Sequence, residues 1–284
     1  MSHRQVDVEA GGFRAEILVE GDTGPLVVLC SGLGGRRLHW TDTAANLASD
    51  HIVVRFDRPG RPLERAPDAD RGVTVRGEAD RIAAVLDAVC GPLQAVVVGH
   101  SLGGLYAEGF ARLCPHRVRA LILLDSSIAP NHPRRLTLPL PAKLAAADAA
   151  ATLLGRLRLQ AVLGRAALRL LHRRRPGGLD AQMRCEIGRA ATDPGFPAAL
   201  LREYAAYPQL IAELCVLRET CPLPPIRRVV ITAHTGWRSQ HWLTRQIRLA
   251  NDLGAEHITV APARHLIMIE QPQRTADLIR TIAH

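Results

Sequence analysis

Short apolar runs rich in β-branched residues alternate with longer stretches of helical spacing through the first 130 residues. Residues 13–19, 26–30, 52–56, 95–98 and 120–124 read as strands. Residues 36–48, 75–89 and 102–113 place apolar side chains three and four apart and predict helices. Continuous apolar strands separated by helices imply a mostly parallel sheet covered on both faces. The pattern then breaks. Pro130, Pro133, Pro139 and Pro141 open about ninety residues rich in Ala, Leu and Arg without a convincing strand, and Pro222, Pro224 and Pro225 close them. Alternation resumes with a strand at 229–232, a helix at 240–253, a strand at 257–260 and a last helix at 275–282. The expectation is a doubly wound α/β core formed by residues 1–130 and 221–284, with a helical cap inserted at 131–220. One core with an insertion accounts for 284 residues better than two sequential domains.

Composition narrows the class without naming a function. Hydrophobic residues at 47% and charged residues at 22% exclude a disordered chain or a disulfide-knotted miniprotein. No run approaches about 18 uninterrupted apolar residues, and the first residues lack the apolar stretch of a signal peptide, so a cytoplasmic location is expected. Six scattered cysteines without a CxxC pair point to reduced thiols, with no metal site and no cofactor.

The net charge of +9 is unevenly placed. All but one of the 36 basic residues are arginine, a bias that genome composition would also produce. Residues 131–220 hold +7 of the charge and the remainder only +2. Within that segment, Leu153, Leu157, Val162, Leu168 and Leu171 suggest one face of a helix and Arg156, Arg158, Arg165 and Arg169 another, ending in Arg173, Arg174 and Arg175. The favoured reading packs the apolar face on the core and solvates the arginines. The alternatives are arginines that meet an anionic substrate, or contact with an anionic membrane. With aromatics at 4% and no stacking platform among the arginines, nucleic acid is not an expected partner.

Chemistry concentrates where strands end. Gly99-His100-Ser101-Leu102-Gly103 lies between the strand at 95–98 and the helix from 102, the context of a G-x-S-x-G turn that thrusts a serine above the sheet edge. Ser101 is the candidate nucleophile. Attack on a carbonyl creates an oxyanion that needs two N–H donors. The backbone of Leu102 is one candidate. Leu33, in the loop Ser31-Gly32-Leu33-Gly34-Gly35, is the other. The same loop could instead cradle a phosphate, but Leu38 occupies the position where a dinucleotide fingerprint wants a small residue. His265 follows the last strand and is the candidate general base, with His234 its main rival. Between Glu219 and Asp252 there is no carboxylate, so the loop after the strand at 229–232 cannot supply the acid. Asp125, at the end of the strand at 120–124, is the candidate.

In this order, these parts resemble the α/β-hydrolase fold family over residues 12–282, including a DRPG-type turn at 57–60 and an H-x-x-x-x-E-x-P ending at 265–272. The resemblance implies Ser101 as nucleophile, His265 as base, Leu33 and Leu102 as oxyanion donors, and residues 131–220 as cap. Two departures stand out: Ser31 occupies a position where histidine often precedes the first glycine, and the acid after the post-cap strand is missing. The second resembles family members with a pre-cap acid, such as some haloalkane dehalogenases. Their nucleophile is aspartate, so Ser101 points to acyl transfer on a small acyl substrate, with a lyase, an acyltransferase or a slow-turnover binding protein left open.

Overall fold

The computed structural model describes residues 3–10, 13–58, 73–128 and 139–283. Pro59 and Gly60 of the DRPG-type turn, and Pro130 and Pro133, lie outside them.

Apolar strands do pair in parallel through the centre of the molecule. The described strands are β1 (His3–Ala10), β2 (Phe13–Glu20), β3 (Leu26–Cys30), β4 (Ile52–Phe56), β5 (Ala95–His100), β6 (Val118–Leu124), β7 (Arg227–Ala233) and β8 (Glu256–Val260). They form one sheet in the order β1-β2-β4-β3-β5-β6-β7-β8. The six strands from β4 to β8 run parallel, while β1 and β2 are antiparallel additions at one edge. β1 was not foreseen, because His3-Arg4-Gln5-Val6-Asp7 offers none of the continuous apolar run that marks the other strands.

Alternation along the strands assigns the helices to faces. Val28, Val54, Val97, Leu121 and Val230 meet α2 (Val75–Cys90), α3 (Leu102–Leu113) and α8 (Gln240–Asp252). Val27, Val53, Val96, Ile122 and Ile231 meet α1 (Thr41–Leu47), α9 (Ile267–Glu270) and α10 (Pro272–Ala283). The predicted helix at 36–48 divides into a 3-10 turn at Arg37–Trp40 followed by α1.

Between β6 and β7 the described residues form helices and no strand: α4 (Leu140–Arg156), α5 (Leu159–Leu171), α6 (Ala181–Thr192) and α7 (Phe196–Thr220). α7 sends Ala206, Leu210, Leu214 and Leu217 into the same cluster as α2 and α3, so its second half belongs to the main core. A smaller cluster joins Leu168, Met183 and Ile187 to Leu38. The expected single amphipathic run at 153–171 is two helices, broken where Arg158 adopts a left-handed φ of 56°. Its apolar face is also not the packed one: Leu168 is buried, whereas Leu153, Leu157, Val162 and Leu171 are exposed. Arg175 is fixed by Asp42 at 2.6 and 2.7 Å and by Asp180 at 2.8 Å, joining the turn after α5 to α1. Among the described residues, no helix is long and apolar enough to cross a membrane.

Candidate active site

The loops after β3, β5, β6 and β8 emerge at the C-terminal edge of the parallel strands, the edge where open α/β sheets hold their ligands. Ser101 turns the chain from β5 into α3 with φ 52° and ψ −122°, a backbone conformation that costs a residue with a Cβ roughly 1–3 kcal/mol. The turn closes only because its flanks are bare. A Cβ on Gly99 would lie 2.4 Å from the carbonyl oxygen of Gly103, and one on Gly103 would lie 2.5 Å from the carbonyls of Cys30 and Ser31. The Ser101 N–H donates to Leu124 O at 3.2 Å, and its carbonyl accepts Ser127 N–H at 2.9 Å, tying the turn to the end of β6.

Asp125 is the first residue beyond β6 and also has a positive φ, 43°. Its N–H donates to Ile231 O at 2.7 Å, which holds it against β7. The carboxylate is buried and surrounded by donors. Oδ1 accepts Ala233 N–H at 3.1 Å and the Trp242 indole N–H at 2.8 Å, and Oδ2 lies 2.6 Å from His265 Nδ1. A carboxylate so placed acts as an acceptor, so Nδ1 of His265 carries the proton and Nε2 presents its lone pair. That nitrogen is 3.0 Å from Ser101 Oγ. The His265 ring is half exposed while Asp125 is covered, so the site is open on the serine side. A cleft of about 750 Å³ lined by Trp237, Arg238, Trp242 and Arg264 opens beside His265.

Among the described residues, His265 is the one histidine whose side chain hydrogen-bonds to Ser101 and Asp125. His234 binds Val260 and Ala263 through its backbone, and its Nε2 is buried without a partner among the described residues. His100, inside the turn, packs its ring 4.7 Å from that of His265 and donates Nε2–H to the carbonyl of His265 at 2.8 Å. Burial holds its pKa well below the ordinary histidine value, so it is a neutral donor that braces the loop bearing His265.

The loop after β3 is held from behind. Arg58 donates from Nη1 to Ser31 O at 2.6 Å and from Nη2 to Gly32 O, while Glu203 of α7 accepts from its Nε at 2.5 Å and its Nη2 at 3.0 Å. The same carboxylate accepts Gly34 N–H at 2.8 Å. Leu33, between the tethered glycines, is exposed, and its N–H makes no hydrogen bond among the described residues. Leu102 is the first residue of α3, so its N–H has no acceptor one turn earlier in the helix.

Ser101, His265 and Asp125 thus lie in one hydrogen-bonded line, with Leu33 on the loop after β3 and Leu102 at the start of α3. His100 and Arg58 lie in motifs read from the sequence without a role of their own, whereas Trp242 and Glu203 were not singled out, because each acts across a distance in the chain that no local pattern encodes. Among the described residues, no group of three His, Cys, Asp or Glu side chains could hold a metal ion.

The family model described as the alpha/beta hydrolase family matches residues 27–278. The chain belongs to the α/β hydrolase family. A relative from Pseudomonas savastanoi pv. phaseolicola named "Putative carbamate hydrolase RutD" is 35% identical over 107 residues, which cover 38% of this chain and 40% of the relative. The matched stretch therefore spans well under half of that protein. Cfl2 from Burkholderia cenocepacia superposes with a TM-score of 0.72 at 23% identity, over 99% of this chain and 96% of its own. The epoxide hydrolase VrEH1 from Vigna radiata superposes with a TM-score of 0.69 at 18% identity, over 99% and 97%. At such identities the likeness is one of fold: the α/β-hydrolase architecture, an eight-stranded and mostly parallel sheet flanked by helices.

Proposed function

We propose that this α/β hydrolase cleaves a carboxylic ester, lactone or thioester through a serine acyl-enzyme. Ser101 Oγ attacks the acyl carbon as His265 Nε2 takes its proton, and Asp125 stabilises the imidazolium so formed. The backbone N–H groups of Leu33 and Leu102 receive the oxyanion of the tetrahedral intermediate. His265 then returns the proton to the leaving oxygen or sulfur. A water, deprotonated by the same histidine, releases the acid and restores Ser101. The insertion at 131–220 is read as the cap of this site, apart from the second half of α7, which packs into the main core. The observation that carries the reading is the unbroken line from Ser101 Oγ to His265 Nε2 at 3.0 Å and from His265 Nδ1 to Asp125 Oδ2 at 2.6 Å.

The name of the Pseudomonas relative suggests a second substrate class, since a carbamate presents the same kind of carbonyl to a serine. A panel of p-nitrophenyl esters of increasing chain length, acyl-CoA thioesters, lactones and carbamates distinguishes these substrates. On whichever of them turns over, Ser101→Ala should lower kcat by on the order of 10⁴ or more. A Ser101→Ala protein that keeps more than a few per cent of wild-type turnover would remove Ser101 from the mechanism.

A further inference from the structure

α5 is turned the unexpected way round. Along a helix, positions 159, 162, 163, 166 and 170 share one face, and position 168 lies on the opposite one. The face that meets the protein is the one with Leu168, 1% exposed against Met183 and Ile187, where Gly164 also comes close to Ala191. The face that meets solvent is aliphatic. Val162 is 66% exposed, Leu170 60%, Leu163 53% and Leu159 41%. Leu153 and Leu157, at the end of α4, extend the same kind of surface. Scattered exposed leucines are ordinary on a soluble protein; a contiguous helix face of them is an interaction surface.

The charge around this face selects the partner. From residue 149 to 179 there is no Asp or Glu, while Arg156, Arg158, Arg165, Arg169, Arg173, Arg174 and Arg175 all fall within it. Arg158, Arg165 and Arg169 line one flank of the aliphatic stripe, and all three are exposed with no ion pair among the described residues. A second copy of the chain docked on this face would bring two arginine rows together with no carboxylate to neutralise them. An anionic lipid surface fits both features: leucines enter the boundary between headgroups and acyl chains, and arginines lie level with the lipid phosphates.

We propose that α5, with the end of α4, is a docking surface for an anionic membrane, on which the protein sits as a peripheral enzyme. The surface is independent of the reaction assigned to Ser101, because none of these residues touches Ser101, His265 or Asp125. Binding is read by co-sedimentation of the full chain with phosphatidylcholine vesicles, with and without about 30% phosphatidylglycerol, at low and high salt. The wild type should sediment with the anionic vesicles, stay in solution with the neutral ones, and be released by salt. Replacing Arg158, Arg165 and Arg169 by Gln should weaken binding at least about tenfold. Val162→Glu with Leu163→Glu should abolish it, with circular dichroism unchanged, since both positions already face solvent. Three results would overturn the proposal: wild type that remains in solution with anionic vesicles, equal sedimentation with both vesicle types, or a dimer in gel filtration that the same substitutions dissolve while vesicles go unbound.

Discussion

Glu203 of α7 forms a two-point ion pair with Arg58, 145 residues away in the chain, and the same carboxylate accepts the N–H of Gly34, next to Leu33. The pair is buried on both sides, and the Arg58 guanidinium lies over the Tyr106 ring at 5.0 Å. A helix of the segment between β6 and β7 therefore sets the shape of the loop proposed to bind the oxyanion.

Removing one partner of a buried pair leaves the other charge uncompensated, which costs about 3–5 kcal/mol. Glu203→Ala should fall at the lower end of that range in chemical denaturation, because Glu78 lies 3.9 Å from Arg58 and offsets part of the charge. It should also lower kcat, since Gly34 and its neighbour Leu33 lose their tether. Glu203→Gln keeps an acceptor for Gly34, so it should destabilise the fold while sparing kcat more than Glu203→Ala does. Equal losses of kcat in the two variants would separate the loop from Glu203.

Asp125→Asn should cost on the order of 10⁴ in kcat with KM little changed, because an amide at that position leaves His265 in the wrong tautomer. Trp242→Phe removes one of the donors that hold the carboxylate, at 2.8 Å, and leaves the acid in place. Its effect should be smaller, roughly tenfold in kcat. A Trp242→Phe loss as large as that of Asp125→Asn would mean that the indole does more than orient the acid.

The parallel strands were legible because strands buried on both faces read as continuous apolar runs, and Asp125 was reached as the candidate by elimination, since the loop after β7 holds no carboxylate. β1 was not, because at the edge of the sheet it is only partly covered: Val6 packs on the main core while His3, Arg4 and Gln5 are exposed, too little to give a continuous apolar run. The orientation of α5 was not, because Leu168 and Leu163 are alike in sequence and only the neighbours supplied by α6 decide which one is covered. Trp242 and Glu203 reach Asp125 and Arg58 across 117 and 145 positions, and helical spacing carries no trace of such contacts.

Acid should destabilise the fold partly through His39. Its ring stacks on His172 at 5.1 Å, and burial, with His172 and the Arg36 and Arg58 cations nearby, pushes its pKa from 6.5 down to about 3. The unfolded chain then binds this proton first, so stability is lost as pH falls below 6.5, and the loss continues toward the folded value. One such proton contributes about 1.4 kcal/mol per pH unit. In denaturation series between about pH 6 and about pH 5, His39→Phe should show a slope shallower than wild type by roughly that amount. Parallel slopes would mean that His39 is protonated in the folded protein.

Ser101 as nucleophile is tested most directly by covalent labelling of the wild type with a fluorophosphonate, followed by intact-mass and peptide mass spectrometry. One adduct per chain is expected, on Ser101, formed in step with loss of turnover and absent from Ser101→Ala. Full turnover in a protein that takes up no label, or an adduct on a residue other than Ser101 that tracks the loss of activity, would contradict that role.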